Sequence, residues 1–341
     1  MKAVVLKDKR KFEIEDISEP ISQNGSVIVS VKKSGICGSD IHYWEAGSPK
    51  GLVIGHEYSG TVVNPGSRKD LKVGDRVTAL PISPCGNCHA CLTGNFQYCH
   101  QTWTYATGLS LDSPGSMAYE LSVRPDMVIK LPDEISDEEG AMVEPTAVGL
   151  HAIHLANIKV GEKVLIIGGG IIGLVCAMFA KKEGASFVAL SETNPERGKK
   201  AIELQVADKW YDAKNEKLVD KVLEDTVDGY DLVIDCSGSS SAVTSALISA
   251  KPGGTVILVG VSMEPITIPS VVGVMRELTI KGAIAYTKEE FQTCIDLMAK
   301  KKIDVLRFLS KIVGLSDVQS SYEELTSGIS DSIKILVDPN K

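Results

Sequence analysis

Residues 163–180 read KVLIIGGGIIGLVCAMFA, and this stretch determines how the rest of the chain is interpreted. Its first five residues are an apolar run typical of a buried strand, and its last ten are typical of a helix. Gly168 and Gly170 lie between them and Gly173 lies near the start of the helical stretch, in the spacing G-x-G-x-x-G. A strand, a glycine-rich turn and a helix in this order predict the start of a βαβ unit.

The same alternation of strand and helix continues downstream. Strands are predicted at 186–191, 230–237 and 255–260, and helices at 194–205 and 240–254. Strands that alternate with helices at this spacing favour a parallel, doubly wound sheet with helices on both faces.

The three glycines suit a dinucleotide site. The first permits a tight turn, the second lets the backbone approach a pyrophosphate, and the third packs the helix against the strand. The helix N-terminus carries partial positive charge for the phosphates. Glu192 ends the next strand and can bind ribose hydroxyls while repelling a 2′-phosphate, which favours NAD over NADP. Arg197 tempers this preference, because a nearby arginine can bind the 2′-phosphate of NADP. The alternative to a dinucleotide site is that the glycines serve only as turns.

The remaining sequence has a different pattern. Residues 1–146 contain short apolar runs separated by Gly, Pro and Asp, which predict a β-rich domain. A chain of 341 residues is long enough for two domains. The segment after about residue 286 contains helical stretches and a final apolar strand, and its pattern alone fits either domain.

Composition excludes several classes of partner. The net charge of −8 argues against nucleic acid or an anionic membrane surface, because both bind basic faces. No apolar run is long enough to span a membrane, and the N-terminal run is too short for a signal peptide. We therefore expect a cytoplasmic protein.

Four of the eight cysteines follow the pattern C-x2-C-x2-C-x7-C, at Cys85, Cys88, Cys91 and Cys99. In a reducing compartment such a cluster binds metal more often than it forms disulfides. An iron–sulfur cluster fits less well, because the ferredoxin pattern has its fourth cysteine after three residues. Zinc bound by four cysteines has no open position for substrate. We expect a structural zinc here and chemistry elsewhere.

The β-rich region also carries a second set of metal-binding residue types, Cys37, His56, Glu57 and Glu144. A thiolate, an imidazole and one or two carboxylates from distant loops are compatible with an open zinc site. Each residue taken singly is also compatible with a structural role.

Six motifs in this order carry a family resemblance: GICGSDIHYW, GHEYSG, the cysteine loop, EEGAMVEPTAVGLHA, VLIIGGGIIGL and RELTIKG. With them the chain resembles the zinc-dependent medium-chain dehydrogenases, and among these the sorbitol (polyol) dehydrogenases. The resemblance implies an α/β protein with a GroES-like β-rich catalytic domain at 1–146 and 286–341. That domain would include a structural zinc lobe at about 83–100, and 147–285 would form a Rossmann domain with a doubly wound parallel sheet for NAD.

The resemblance also implies roles for single residues. Cys37, His56 and Glu57 would bind a catalytic zinc, with Glu144 as a ligand either directly or through water. With the structural site, this makes two zinc ions per chain. Ser39 and His42 match the positions of a proton relay. Further matches are the cofactor contacts Ile172, Glu192, Arg197, Val259, Gly260 and Val261, and the substrate-pocket residues Tyr43, Glu144 and Tyr286.

The implied reaction is reversible hydride transfer between NAD and a secondary alcohol of a polyol or diol, which gives a ketone. The implied assembly is a homo-oligomer, with a tetramer favoured over a dimer. The chain has Ala285 where sorbitol dehydrogenases have an arginine, so threonine, a cyclitol or a sugar phosphate are alternative substrates. NADP-dependent carbonyl reduction and a non-enzymatic cofactor-binding role are alternative functions.

Overall fold

The computed structural model describes residues 1–215 and 217–341, and these divide into two compact units. The first unit comprises Met1–Ala147, Tyr286–Gly328 and Lys334–Lys341, and the second comprises Val148–Ala285 and Ile329–Ile333.

The segment Ile329–Ile333 differs from the sequence-based assignment, which placed all of 286–341 in the first domain. Its backbone is hydrogen-bonded to the second unit, because Asn194 Nδ2 donates to Ser330 O over 2.9 Å. Arg197 also donates to Ser332 O over 2.8 Å. These two bonds account for its place in the second unit.

Strands are numbered along the whole chain. They are Lys2–Asp8 (β1), Lys11–Asp16 (β2), Val27–Gly35 (β3), Glu57–Asn64 (β4), Arg76–Ala79 (β5), Glu120–Val123 (β6), Val128–Lys130 (β7), Lys163–Ile167 (β8), Phe187–Glu192 (β9), Lys209–Asp212 (β10), Tyr230–Asp235 (β11), Ala250–Leu258 (β12), Thr279–Gly282 (β13), Leu309–Val313 (β14) and Lys334–Val337 (β15).

The α-helices are numbered in the same way. They are Gly38–Ala46 (α1), His89–Leu92 (α2), Asp137–Ala141 (α3), Val143–Ala156 (α4), Ile171–Lys182 (α5), Pro195–Glu203 (α6), Leu218–Asp225 (α7), Ser240–Ser249 (α8), Ser270–Met275 (α9), Lys288–Ala299 (α10) and Val318–Thr326 (α11). Short 3-10 helices cover Phe96–Tyr98, Leu306–Phe308 and Leu315–Asp317. Within 1–215 and 217–341, no helix has both the length and the apolar character that crossing a bilayer requires.

The first unit is built on a mixed sheet in the order β14-β15-β3-β4-β5-β7, with β6 paired to β3. A separate antiparallel pair is formed by β1 and β2. In the main sheet β3 lies between β15 and β4, and Gly35 of β3 is paired with both Glu57 and Leu336. This register brings the start of β4 close to the last strand of the chain.

An aromatic cluster holds helix α1 against this unit. Trp44 of α1 packs with Phe12 of β2 and Tyr322 of α11, and all three side chains are buried. The rings of Phe12 and Tyr322 meet edge to face with centroids 4.9 Å apart, a favoured geometry for aromatic pairs. The cluster therefore fixes the position of α1, which follows directly after Cys37.

The second unit is a six-stranded parallel sheet in the order β10-β9-β8-β11-β12-β13. The chain begins at the centre with β8, adds β9 and β10 on one side, and then returns to β11 on the other. This is the doubly wound order of dinucleotide-binding folds. The fold class predicted from the sequence is confirmed.

Candidate active site and metal centres

Strand pairing assembles the candidate site in the first unit. Cys37 is the N-cap of α1, two residues after the end of β3, and Glu57 begins the adjacent strand β4 with His56 directly before it. One donor atom from each of these three residues lies within 4.8 Å of the other two. The structure thus brings Cys37 together with His56 and Glu57, which follow it by 19 and 20 positions in the sequence.

A buried carboxylate lies beside the imidazole of His56. His56 Nδ1 lies 3.3 Å from Oδ1 of Asp40, which has no exposed surface. Tyr322 donates to the other oxygen of Asp40 over 3.5 Å. Although burial opposes it, the charges of Asp40 and Cys37 raise the pKa of His56 well above its ordinary value. Because Nδ1 faces Asp40, Nε2 is the nitrogen left for a metal.

The carboxylate of Glu57 is buried and faces in two directions. Its Oε2 forms an ion pair with the ammonium of Lys334, and both side chains are at most 1% exposed. Its Oε1 is buried and has no hydrogen-bond partner among the described residues. A thiol, an imidazole and a carboxylate, each with a donor atom within 4.8 Å of the other two, fit a zinc ion.

Glu144 lies in the first turn of α4 and is bonded to a tyrosine. Its Oε1 accepts a 2.9 Å hydrogen bond from the hydroxyl of Tyr286, which is itself buried. Burial raises the pKa of Glu144 to about 7, against the opposing influence of His56. Glu144 is not part of the three-residue group. The structure therefore joins Glu144 to Tyr286, two of the three expected pocket residues, near enough to His56 and Glu57 for their charges to act on Glu144.

The expected relay residues Ser39 and His42 lie on α1. Ser39 donates to Cys37 Sγ over 3.3 Å, and His42 lies three positions further on, half-buried. Residues three apart share a helix face. Tyr43 follows, and burial raises the pKa of its hydroxyl.

The four loop cysteines form a second cluster. One sulfur from each of Cys85, Cys88, Cys91 and Cys99 lies within 4.8 Å of the others, and all four are free thiols. The loop is folded around them by short elements, with Cys88 as the N-cap of α2 and Cys99 closing a 3-10 helix.

Backbone amides point at these sulfurs. Cys99 Sγ accepts from Cys85 N over 3.3 Å and from Gln101 N over 3.4 Å. Although burial acts in the opposite direction, these amides lower the pKa of Cys99 to about 6. N–H groups that favour a thiolate are the surroundings that a four-cysteine zinc site needs. The cluster fits a structural zinc.

The glycine-rich turn of the second unit has the expected geometry. Gly168 has a φ of +102°, which favours glycine. Gly170 caps α5 and has open space where a Cβ would be, whereas a Cβ on Gly173 would overlap Gly168 O. Ile172 lies in the first turn of α5 and is partly buried. The turn is therefore open at Gly170 and closely packed at Gly173.

A cavity of about 600 Å³ opens at the carboxyl end of the sheet, lined by Gly168, Glu192 and Lys217 among others. The Glu192 carboxylate accepts from Gly169 N over 2.5 Å, from Asn194 N over 2.8 Å and from Thr193 Oγ1 over 3.0 Å. A carboxylate has about four acceptor positions, so with three donors bound Glu192 is fixed in place and keeps about one position for a ligand hydroxyl.

Arg197 does not line this cavity, because its guanidinium is directed at Ser332 O. The expected contacts at Val259 and Gly260 follow β12, and both donate their amides to Asp235 O, over 2.8 and 2.9 Å. Val261 comes next and is 56% exposed.

Asp40 and Lys334 were not singled out from the sequence. Asp40 lies within the motif GICGSDIHYW, three residues after Cys37. Lys334 interrupts the apolar run SIKILV, and a charged residue in a strand of this kind is a signal for a buried partner.

Comparison with known families gives matches for both halves of the chain. Residues 23–133 match the alcohol dehydrogenase GroES-like domain, and residues 172–300 match the zinc-binding dehydrogenase family.

Individual relatives match over nearly the whole length. D-xylulose reductase A of Aspergillus niger is 32% identical over 338 residues, which cover 96% of this chain and 93% of that protein. The structure of 2R,3R-butanediol dehydrogenase from Bacillus subtilis has a TM-score of 0.87 and 30% identity, covering 99% of both chains. A chain from Sinorhizobium meliloti, described as a zinc-binding dehydrogenase and bound to NADP, has a TM-score of 0.88, 30% identity and the same coverage.

Proposed function

Because this chain belongs to the zinc-dependent medium-chain dehydrogenases, in their polyol dehydrogenase branch, we propose that it transfers hydride reversibly between NAD and a secondary alcohol of a polyol or diol. The product of oxidation is the ketone. The observation that carries the proposal is the group formed by Cys37, His56 and Glu57, whose donor atoms lie within 4.8 Å of one another. One oxygen of the buried Glu57 carboxylate has no hydrogen-bond partner among the described residues.

Cys37, His56 and Glu57 would hold the catalytic metal. When bound, zinc supplies Lewis-acid chemistry that lowers the pKa of a substrate hydroxyl. Asp40 orients the imidazole, and Glu144 with Tyr286 offers hydrogen-bonding groups to further hydroxyls.

The proton from the substrate needs a path to solvent. The Ser39 hydroxyl lies beside Cys37, and His42 lies three residues further along α1. We propose that Ser39 accepts the proton and that His42 passes it on, since imidazole is a common proton carrier.

The proposed dinucleotide is NAD. Its support is the position of Glu192, which lines the cavity beside the glycine turn and would repel a 2′-phosphate. Arg197 is engaged with Ser332, which leaves it poorly placed for such a phosphate. Lys217 lines the same cavity and the Sinorhizobium relative binds NADP, so an NADP-dependent carbonyl reductase is the second candidate function.

A neutral polyol or diol is the proposed substrate class. The relatives that support it are the D-xylulose reductase and the butanediol dehydrogenase. Ala285 adopts a φ of +49° and has no group to bind polyol hydroxyls, which favours a small diol or short polyol over sorbitol. Threonine, a cyclitol or a sugar phosphate are the other substrates to be tested.

We further propose that each chain binds two zinc ions and that the protein is cytoplasmic. We also propose that it forms a homo-oligomer, a tetramer rather than a dimer. The second zinc is supported by the four-cysteine cluster. The eight free thiols suit a reducing compartment. The oligomer is supported by apolar side chains exposed along one edge of the second unit, which include Val271, Val274 and Met275.

The first experiment combines metal analysis with a substrate screen. The purified protein should contain about two zinc ions per chain. NAD reduction should be seen with diols or polyols and should be weaker with threonine, cyclitols and sugar phosphates. Higher turnover with NADP would contradict the proposed dinucleotide. NAD binding without oxidation of any alcohol would favour the non-enzymatic role.

Two variants test the site directly. His56→Ala and Glu57→Gln should each abolish turnover while the far-ultraviolet circular dichroism stays that of the unmodified protein. Activity near that of the unmodified protein in both variants would show that these residues do not hold the catalytic metal.

A further inference from the structure

Lys334 is a fully buried lysine for which the proposed reaction has no use. It begins β15, and its side chain has no exposed surface. Its ammonium donates to Ile36 O over 2.8 Å and pairs with Glu57 Oε2. A buried ammonium is costly unless it is paired and hydrogen-bonded, so these two contacts explain how the lysine is tolerated.

The surrounding backbone holds the pair in one arrangement. Gly35 lies opposite Glu57 in the sheet, and a Cβ on Gly35 would overlap Glu57 Oε2 and crowd the end of Lys334. Glu57 and Lys334 thus occupy the space that the side chain of any larger residue at position 35 would need. Strands β3, β4 and β15 all contribute to this arrangement, which leaves little freedom for either side chain.

The same carboxylate is shared by two positively charged groups once a metal is bound. One oxygen of Glu57 pairs with Lys334, and the same carboxylate has an oxygen within 4.8 Å of donor atoms of Cys37 and His56. Its Oε1 is buried and has no hydrogen-bond partner among the described residues. A carboxylate that already pairs with an ammonium attracts a second cation less strongly. The ammonium also repels that cation, and low-dielectric surroundings strengthen this repulsion.

We propose that Lys334 is a positioning residue that weakens the bond between Glu57 and the catalytic zinc, and so keeps Glu57 a displaceable ligand. The inference rests on the proposed function only in taking zinc as the metal of the Cys37, His56 and Glu57 site. It assigns to the last strand of the chain a part in setting how firmly the metal is held.

The test is the rate of zinc release to an excess of a chromogenic chelator, measured at pH 8 without substrate or dinucleotide. The phase that disappears in Cys37→Ser is assigned to the catalytic site, and the remaining phase to the cysteine lobe. In Lys334→Met the catalytic phase should be about tenfold slower than in the unmodified protein, in the range typical for residues that support metal ligands. The lobe phase should be unchanged.

The sign of the effect separates this role from a structural one. If Lys334 only supports the fold, its removal loosens the site and zinc leaves faster. An unchanged or faster catalytic phase therefore overturns the proposal. Lys334→Gln removes the charge but can still donate to Ile36 O, so it carries the same expectation should the methionine variant fail to fold.

Three further variants serve as controls. Lys334→Arg keeps the charge and should release zinc at nearly the original rate. Lys33→Met removes another lysine of the same sheet, one paired with Asp338, and should leave both phases unchanged. In a Glu57→Gln background, Lys334→Met should no longer slow release, because the carboxylate through which it acts is gone.

Zinc release is measured without any alcohol, so the result is independent of the substrate screen. If the protein oxidises no alcohol but Lys334→Met still slows release, the proposed function fails and this inference stands. If alcohol oxidation is found but release is not slowed, the proposed function stands and this inference fails.

Discussion

At the scale of single residues, Asp40 contacts a candidate metal ligand, His56, and is not itself in the candidate metal group. Its carboxylate is completely buried and has a histidine nitrogen 3.3 Å away and a tyrosine hydroxyl 3.5 Å away. A carboxylate behind a ligating histidine fixes the ring orientation and makes the other nitrogen a better donor. We therefore expect Asp40 to act on a bound metal only through His56.

We expect Asp40→Asn to reduce zinc affinity at the catalytic site by about 10- to 100-fold, because the amide supports the imidazole less well. Competition with a chelator of known affinity measures this. Tyr322→Phe is the matched control, since it removes the longer contact to the same carboxylate and should change affinity much less. Equal zinc affinity in Asp40→Asn and the unmodified protein would contradict this role.

At the scale of the element, the turn from β8 to α5 separates a packing role from a binding role. Gly173 is in contact with the turn itself, whereas Gly170 faces open space at the helix N-terminus. An added methyl group therefore has opposite consequences at the two positions. At Gly173 the methyl group would clash with the protein, and at Gly170 it would lie where the proposed dinucleotide approaches.

Gly173→Ala should lower the free energy of unfolding by about 1–3 kcal/mol, the usual cost of overpacking. Gly170→Ala should leave the melting temperature nearly unchanged but raise the KM for NAD, since the methyl group lies where the pyrophosphate must approach. Thermal unfolding and steady-state kinetics on both variants distinguish the two effects. A normal KM in Gly170→Ala would place the dinucleotide elsewhere.

The cysteine lobe is an element without much secondary structure of its own. Between Cys85 and Cys99 it has only the four-residue helix α2 and one 3-10 turn. The backbone hydrogen bonds within 85–99 join residues only three to five positions apart, so bonds from four sulfurs to one metal would supply much of the order between distant parts of the loop.

Cys99→Ser should lower the zinc content from about two ions per chain to about one and make the lobe sensitive to limited proteolysis. Cys294→Ala is the matched control, because Cys294 is a buried cysteine of α10 away from both clusters. It should keep both zinc ions even if it lowers the melting temperature. Retention of both ions in Cys99→Ser would show that the lobe is not a zinc site.

On the scale of the whole molecule, the parallel sheet of the second unit ends in an exposed edge. All four residues of β13 are exposed, and the neighbouring helix α9 has no buried residue. Val271, Val274 and Met275 are 65%, 73% and 78% exposed. An open edge strand beside exposed apolar side chains favours association with another chain.

Val274→Asp should therefore dissociate the proposed homo-oligomer into smaller species, which sedimentation velocity would detect. Val160→Asp is the matched control, because Val160 is 87% exposed and lies outside α9 and β13. It should leave the assembly unchanged. A monomeric unmodified protein, or an unchanged oligomer in Val274→Asp, would remove this surface from the proposal.

The sequence by itself determined the features of this protein that depend on the spacing of residues within a short stretch. The alternation of apolar runs, the three glycines and the four cysteines each lie within one short stretch, and their residue types predict a structure without knowledge of distant parts. The predicted α/β fold class is confirmed. The relay through Ser39 and His42, the ligand role of Glu144 and the choice of NAD stay predictions.

Only the tertiary structure decided how distant residues combine at the candidate metal site. Lys334 and Glu57 lie 277 positions apart, and they meet because β15 and β4 both pair with β3. Asp40 reaches His56 because an aromatic cluster holds α1 in place. Strand register and core packing are properties of the folded chain, which is why local patterns pointed to the candidate ligands but not to the groups that contact them.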